Sequence, residues 1–204
     1  MGDTPPQARL PKLESVIAPA GQSALRVGST SSVEAGQACD RPDGMTTAEQ
    51  TGERLRVQVP MRWGDMDAYG HINNVQIVRM LEEARVAAFG PPGGTGASGV
   101  DPLVPLFSDV PDGTLALVVE HRVRYLKPLD YRNVPAAVDV WVSGLKAAAL
   151  TLDYVIHDPV DGHECVRATT GLAFVDEASG RLLRLTETQR ERLAPYVGKG
   201  LFER

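Results

Sequence analysis

Cysteine is almost missing from this chain. Of 204 residues only Cys39 and Cys165 are cysteines, far apart and in unlike contexts. Such usage suggests neither a disulfide framework nor a zinc site, and it fits a reducing cytoplasm, the expected location. Long apolar runs are missing too. No stretch of about 18 apolar residues occurs, so no segment is expected to span a membrane. No apolar core follows a basic start, so no secretory signal is expected. Met1-Gly2 is similar to a myristoylation start, but Pro6 stands where that pattern needs Ser or Thr. Lys and Arg do not cluster, and the net charge is -5, which argues against a nucleic-acid partner. There is no Gly-x-Ser-x-Gly elbow, so an α/β-hydrolase nucleophile is excluded. No glycine-rich phosphate loop stands between a strand and a helix, which removes the nucleotide-binding folds. No internal repeat is present.

What is there is ordinary for a globular chain: 43% hydrophobic and 23% charged residues, in a length that suits one domain with an appendage. Residues 1–52 are rich in Pro, Gly, Ser, Thr and Ala and follow neither a period of 2 nor of 3.6. A segment of that composition cannot bury enough apolar area to offset its chain entropy, so a disordered extension is expected there. The folded domain is expected over 53–204.

Order begins near Arg54. Leu55, Val57, Val59 and Met61 alternate with polar residues, as a half-buried strand requires, and Pro60 puts the end of that strand at an edge. A polar, glycine-punctuated loop follows over 63–74. From Asn74 to Phe89 the period changes: Ile77, Leu81, Ala84 and Ala88 share a helical face widened by Met80, while Arg79, Glu82, Glu83 and Arg85 fill other positions. Asn73 or Asn74 is the expected N-cap, and Gly90-Pro91-Pro92 ends the helix. The stretch 93–113 reads as a long Gly/Pro/Ser-rich connection, a lid or a disordered insert. Strands are then expected over 115–126, 134–143, 150–157 and 165–176, joined by short turns such as Asp158-Pro-Val-Asp-Gly162. A short helix over 187–193 closes the chain. One long helix with a wide apolar face needs a curved antiparallel sheet wrapped around it, which is an α+β architecture.

The densest polar cluster is Asp65-Met-Asp67-Ala-Tyr69-Gly70-His71-Ile-Asn73-Asn74, immediately before the helix. A helix start offers unpaired N–H groups and the positive end of the dipole, which would stabilise an oxyanion forming on a carbonyl. A carboxylate just upstream can attack that carbonyl or deprotonate a water that does. Carboxylate plus helix N-terminus is thus a minimal acyl-transfer site, and it needs no serine, cysteine, metal or cofactor. A calcium loop is excluded, because Tyr69 stands where an EF-hand needs Asp or Asn, Gln76 stands where it needs Glu, and no helix precedes the loop. His157, His163 and Cys165 surround one hairpin turn; a hairpin brings such neighbours together by default, and no metal site is expected.

The run Arg62-Trp-Gly-Asp-Met-Asp67-Ala-Tyr-Gly-His-Ile-Asn-Asn-Val-Gln-Ile-Val-Arg-Met-Leu-Glu-Glu-Ala-Arg85 closely resembles the signature of 4-hydroxybenzoyl-CoA-thioesterase-like hotdog-fold proteins. Tyr125-Leu-Lys-Pro-Leu and Val138-Asp-Val-Trp-Val-Ser-Gly-Leu-Lys look like the later strands of that family. The resemblance covers residues 54–176. It implies a hotdog fold and an acyl-CoA thioesterase that releases a free acid and CoA. It also implies Asp67 as the catalytic carboxylate, and a main-chain amide near Asn74 as the group polarising the carbonyl. Tyr69, Gly70, His71 and Asn73 are the expected substrate-binding residues, with Gly70 supplying positive φ and Asn73 a cap. Arg122, Arg124, Lys127, Arg132 and Lys146 are candidates for the CoA phosphates. The resemblance further implies a homodimer joined sheet edge to sheet edge, or a homotetramer built from two of these. Two other readings compete: a non-catalytic module binding acyl-CoA or acyl carrier protein, and, ranked last, a hotdog dehydratase, whose histidine base the Asp-x-Asp loop does not match.

Overall fold

Strand β1 (Leu55–Val59) alternates buried and exposed along its whole length, so Leu55, Val57 and Val59 all face inward. In the computed structural model, which describes residues 52–91, 101–107, 110–111 and 113–202, β1 is an edge strand and Pro60 follows its last residue. The expected extension, residues 1–52, lies outside the described residues except for Gly52. A Cβ on Gly52 would stand 2.2 Å from the Val197 carbonyl oxygen, and Glu53 N–H donates to Pro195 O, so the approach to β1 is packed against residues 195–197.

Helix α1 (Asn74–Phe89) starts at Asn73, whose side chain accepts from Val75 N–H, and ends at Gly90, whose φ of 90° closes it. Ile77, Met80, Leu81, Ala84, Ala88 and Phe89 are buried, the face expected from the 3.6 period. Arg85 departs from that expectation: it is 7% exposed and belongs to the covered face. Its aliphatic stem fits an apolar surface, which a polarity pattern cannot register.

Four further strands complete one sheet: β2 (Thr114–Tyr125), β3 (Ala136–Leu145), β4 (Ala149–His157) and β5 (Glu164–Asp176). Every ladder is antiparallel, and the order is β1-β3-β4-β5-β2. This corrects the expected chain of short turns. β2 does not neighbour β3; it pairs with β5 at the far edge, and residues 126–135 carry the chain back across the sheet. Strand periodicity specifies a face, not a neighbour, so this crossover is invisible in the pattern. The β4–β5 turn is the expected one. Asp158 Oδ1 accepts from Val160 and Asp161 N–H, and Gly162 has a φ of 71°.

The core lies between α1 and the concave face, filled by Val138, Val140, Leu152, Ile156, Ala168 and Leu172. The connection after α1 is only partly described. Its 101–107 portion is not an insert, because Val104, Leu106 and Phe107 are buried in the core. The Phe107 ring lies 6.3 Å from that of Phe89 and 5.9 Å from that of Phe174. Helix α2 (Glu187–Leu193) is opened by a capping box between Thr186 and Gln189. This is a curved five-stranded antiparallel sheet around one long helix, a hotdog fold of the α+β class. No described helix is long and apolar enough to cross a membrane.

Candidate active site

The loop before α1 is built on two aspartates with separate tasks. Asp65 is 4% exposed; its Oδ2 accepts from Arg62 N–H at 2.8 Å and from Arg79 Nη2 at 2.8 Å. Its carbonyl accepts from Asn73 N–H, so Asp65 fixes the loop to the first turn of α1. Arg79 in turn pairs with Glu83, one turn further along α1.

Asp67 is half-buried. Its Oδ1 accepts from Tyr69 N–H at 2.8 Å and His71 N–H at 3.1 Å, and its main chain bonds to His71 O and Gly70 N–H. Gly70 makes this tight turn at a φ of 84°. One carboxylate oxygen is thus held by two amides, and the other is uncommitted among the described residues.

Asp67, His71, Asn73 and Asn74 line one wall of a cleft of about 410 Å³. The other wall comes from the β2–β3 crossover, with Tyr125, Leu126, Lys127, Pro128 and Leu129, and from Val166 of β5. Ile72 N–H donates to Leu129 O at 2.8 Å, and His71 bridges to Asp130, so the two walls are stitched together. The Asn74 side chain accepts from Val75 N–H. Asn74's own N–H, the first of the helix, has no hydrogen bond among the described residues, as expected of a first-turn donor.

Two of the expected substrate-binding residues are not brought to this cleft. Tyr69 is 84% exposed, and neither it nor Gly70 lines the cavity. The turn that fastens Asp67 points Tyr69 outward, because neighbours in a tight turn diverge. Of the basic candidates only Lys127 lines the cleft. Arg122 and Arg124 stack on the Phe202 ring at 4.5 and 5.5 Å, and Arg132 lies among Asp130, Asp158 and Asp161. The crossover wall was missed by reading along the chain. Its one signal is the Tyr125-Leu-Lys-Pro-Leu129 stretch, a strand end running into a proline.

Donor atoms of Asp158, His163 and Cys165 lie within 4.8 Å of one another, whereas His157 belongs elsewhere, 3.0 Å from Asp139. Asp158 already caps its turn, and the Cys165 thiol is turned toward Pro128 O at 3.5 Å. Burial, assisted by the Asp158 charge, pushes that thiol up to about 11, far from a thiolate nucleophile.

The sequence profile of the thioesterase-like superfamily matches residues 61–193, from the end of β1 through α2. The chain belongs to that superfamily. Several solved structures resemble this member of it. One is PA2801 of Pseudomonas aeruginosa, provisionally described as a thioesterase: 29% identity, TM-score 0.51, with 68% of this chain and 98% of that one covered. A thioesterase of Thermus thermophilus, solved with coenzyme A and zinc, has 25% identity and a TM-score of 0.51 over 69% of this chain and 93% of its own. The DHNA-CoA thioesterase of Staphylococcus aureus, at 18% identity and a TM-score of 0.52 over 70% and 88%, shares the fold. No curated protein matches the sequence of this superfamily member.

Proposed function

We propose that this protein is an acyl-CoA thioesterase whose reacting carboxylate is Asp67. The observation that carries this reading is the cleft itself: Asp67 on one wall, the free Asn74 N–H at the head of α1 beside it, and an apolar wall opposite. A thioester carbonyl directed at the helix start gains a donor where charge develops in the transition state. The uncommitted Asp67 oxygen then acts in one of two ways. It adds to the carbonyl carbon, expelling the CoA thiolate and leaving an anhydride for water to open. Otherwise it takes a proton from a water that adds instead, and the tetrahedral intermediate expels the thiolate. Both routes give a free acid and CoA.

Lys127 is the residue of the cleft suited to a CoA phosphate. The unit carrying the activity is 53–204, with 1–52 as an appended extension. The working form is a cytoplasmic homodimer or homotetramer. One observation favours the second reading, a non-catalytic acyl-CoA or acyl-carrier-protein module: Asp67 Oδ1 caps a turn, as a purely structural aspartate does.

Thiol release from a panel of acyl-CoAs, wild type beside Asp67→Asn, separates the two. Asparagine keeps an oxygen for the two amides and removes the charge. The thioesterase reading expects kcat to fall on the order of 10²-fold or more with the fold intact. A wild type that binds acyl-CoA and cleaves none of the panel would establish the module instead.

A further inference from the structure

Beneath the middle of α1 the apolar concave face is interrupted by a polar cluster that no part of the proposed chemistry uses. Arg85 of α1 is 7% exposed, Tyr154 of β4 and Thr170 of β5 are fully buried, and His121 of β2 stands on the open side with Nδ1 3.0 Å from Thr170 Oγ1. Arg85 Nη2 reaches Glu82 Oε1 at 3.3 Å, a long contact to a side chain that is 65% exposed. Arg85 Nη1 and the Tyr154 hydroxyl are buried, and neither has a partner at hydrogen-bonding geometry among the described residues. Burial raises the Tyr154 phenol, although Arg85 and Thr170 lie close enough to oppose the shift. The Tyr154 hydroxyl has Arg85 and Thr170 beside it, whereas Arg85 Nη1 has no acceptor among the described residues, and a buried guanidinium nitrogen in that state calls for one.

The cluster lies at a defined distance from the cleft. Ile77, Val166 and Tyr125 line the cleft. Arg85 stands eight residues further along α1 than Ile77, about 12 Å at the helical rise. Thr170 and His121 stand four residues from Val166 and Tyr125 on the same strand faces, about 13 Å along each strand. The register confirms the match, since Tyr125 pairs with Val166 and His121 with Thr170. Between the two levels lie Leu81, Ala168 and Val123, an apolar stretch in which Ala168 is the smallest member and Val123 is only half covered.

We propose that this cluster is the far end of the acyl site: Arg85, with Tyr154 and His121, receives an oxygen at the distal end of the acyl group. The site therefore selects acyl chains bearing a terminal hydroxyl or keto oxygen over plain alkyl chains. This rests on reading the cleft as the thioester site. Glu82 already balances the Arg85 charge, which favours a neutral oxygen over a carboxylate.

The test is calorimetric binding of uncleavable thioether analogues of CoA carrying butyl, octyl, 8-hydroxyoctyl or 7-carboxyheptyl groups. Wild type should bind the hydroxyoctyl analogue about tenfold more tightly than the octyl one. Arg85→Met should abolish that preference and leave the butyl analogue, too short to reach, bound as before. Tyr154→Phe, which removes one oxygen at constant shape, should reduce the preference, and it serves if Arg85→Met fails to fold. Equal binding of octyl and hydroxyoctyl by wild type, a preference that survives both variants, or no binding of any analogue overturns the proposal. Tightest binding of the carboxyheptyl analogue overturns its neutral-oxygen form. The preference is read without turnover, so its failure is distinct from a failure of the matching thioesters to release thiol.

Discussion

The two edge strands of the sheet share a concave surface but are treated very differently by the helix. β1 is five residues long, and its inward side chains Leu55, Val57 and Val59 are 8%, 6% and 1% exposed because α1 packs directly over β1 and β3. β2 is twelve residues long, and on its inner face Val123 is half covered while His121 and Tyr125 are exposed. α1 is displaced toward one edge, so the concavity is closed core from β1 to β5 and open only along β2. The cleft and the Arg85 cluster both border the open side, the first at Tyr125 and the second at His121. A helix centred on the sheet would have buried more apolar area and left no room for a ligand.

The difference can be broken from either side. Leu81→Ala, in the closed core, removes a fully buried side chain and should destabilise the protein by about 3 kcal/mol in urea unfolding. Val123→Ala, on the open side, should cost about 1 kcal/mol or less in the same measurement, since its methyl groups are only partly out of water. Equal costs would mean that the groove is closed in solution. Asn73→Ala removes the cap that accepts from Val75 N–H and should cost about 1 kcal/mol, read as a lowered midpoint of thermal unfolding.

The smallest effect concerns the outer face of the closed edge. Burial raises the Asp139 carboxyl, but Arg56 at 2.6 Å and His157 at 3.0 Å more than offset this, so the group is held below its usual value of 3.8. A carboxylate held low in the folded state stabilises it above the unfolded value and loses that contribution as pH falls through the folded one. Asp139→Asn should therefore be less stable than wild type at neutral pH. The gap should begin to narrow as pH falls through about 3.8 and close only under the lower folded value, as followed by chemical unfolding at stepped pH.

Local signals carried much of this fold. Asn73, the apolar spacing from Ile77 to Ala88, and Gly90 bound α1 to the residue, and alternation located each strand within a few positions. Three features were not legible, each for a physical reason. The position of β2 beside β5 depends on a crossover, which no local period encodes. Arg85 is buried because its stem lies along the sheet, and a charge counts as surface in any polarity pattern. Val104, Leu106 and Phe107 pack under α1 although they sit in a Gly/Pro-rich stretch. The site divides along the same line. Asp67, His71, Asn73 and Asn74 are contiguous and could be read together, whereas the Tyr125–Leu129 wall reaches them through the crossover. Tyr69 shows the converse, since adjacency in the chain did not bring it to the cleft.

That crossover also sets an order of events during synthesis. Asp67 and α1 leave the ribosome early, but β2 has no neighbour until β5 arrives, because its ladder runs from Tyr125 with Val166 to Thr114 with Asp176. Domains emerge from their N-terminal end, and long-range strand pairs close last. A nascent chain stopped short of β5 carries Asp67, the helix start and the 125–129 segment, but no ladder holds that segment opposite them. The cleft comes into being only with the last strand, so a truncated product of translation lacks the enclosed space beside Asp67.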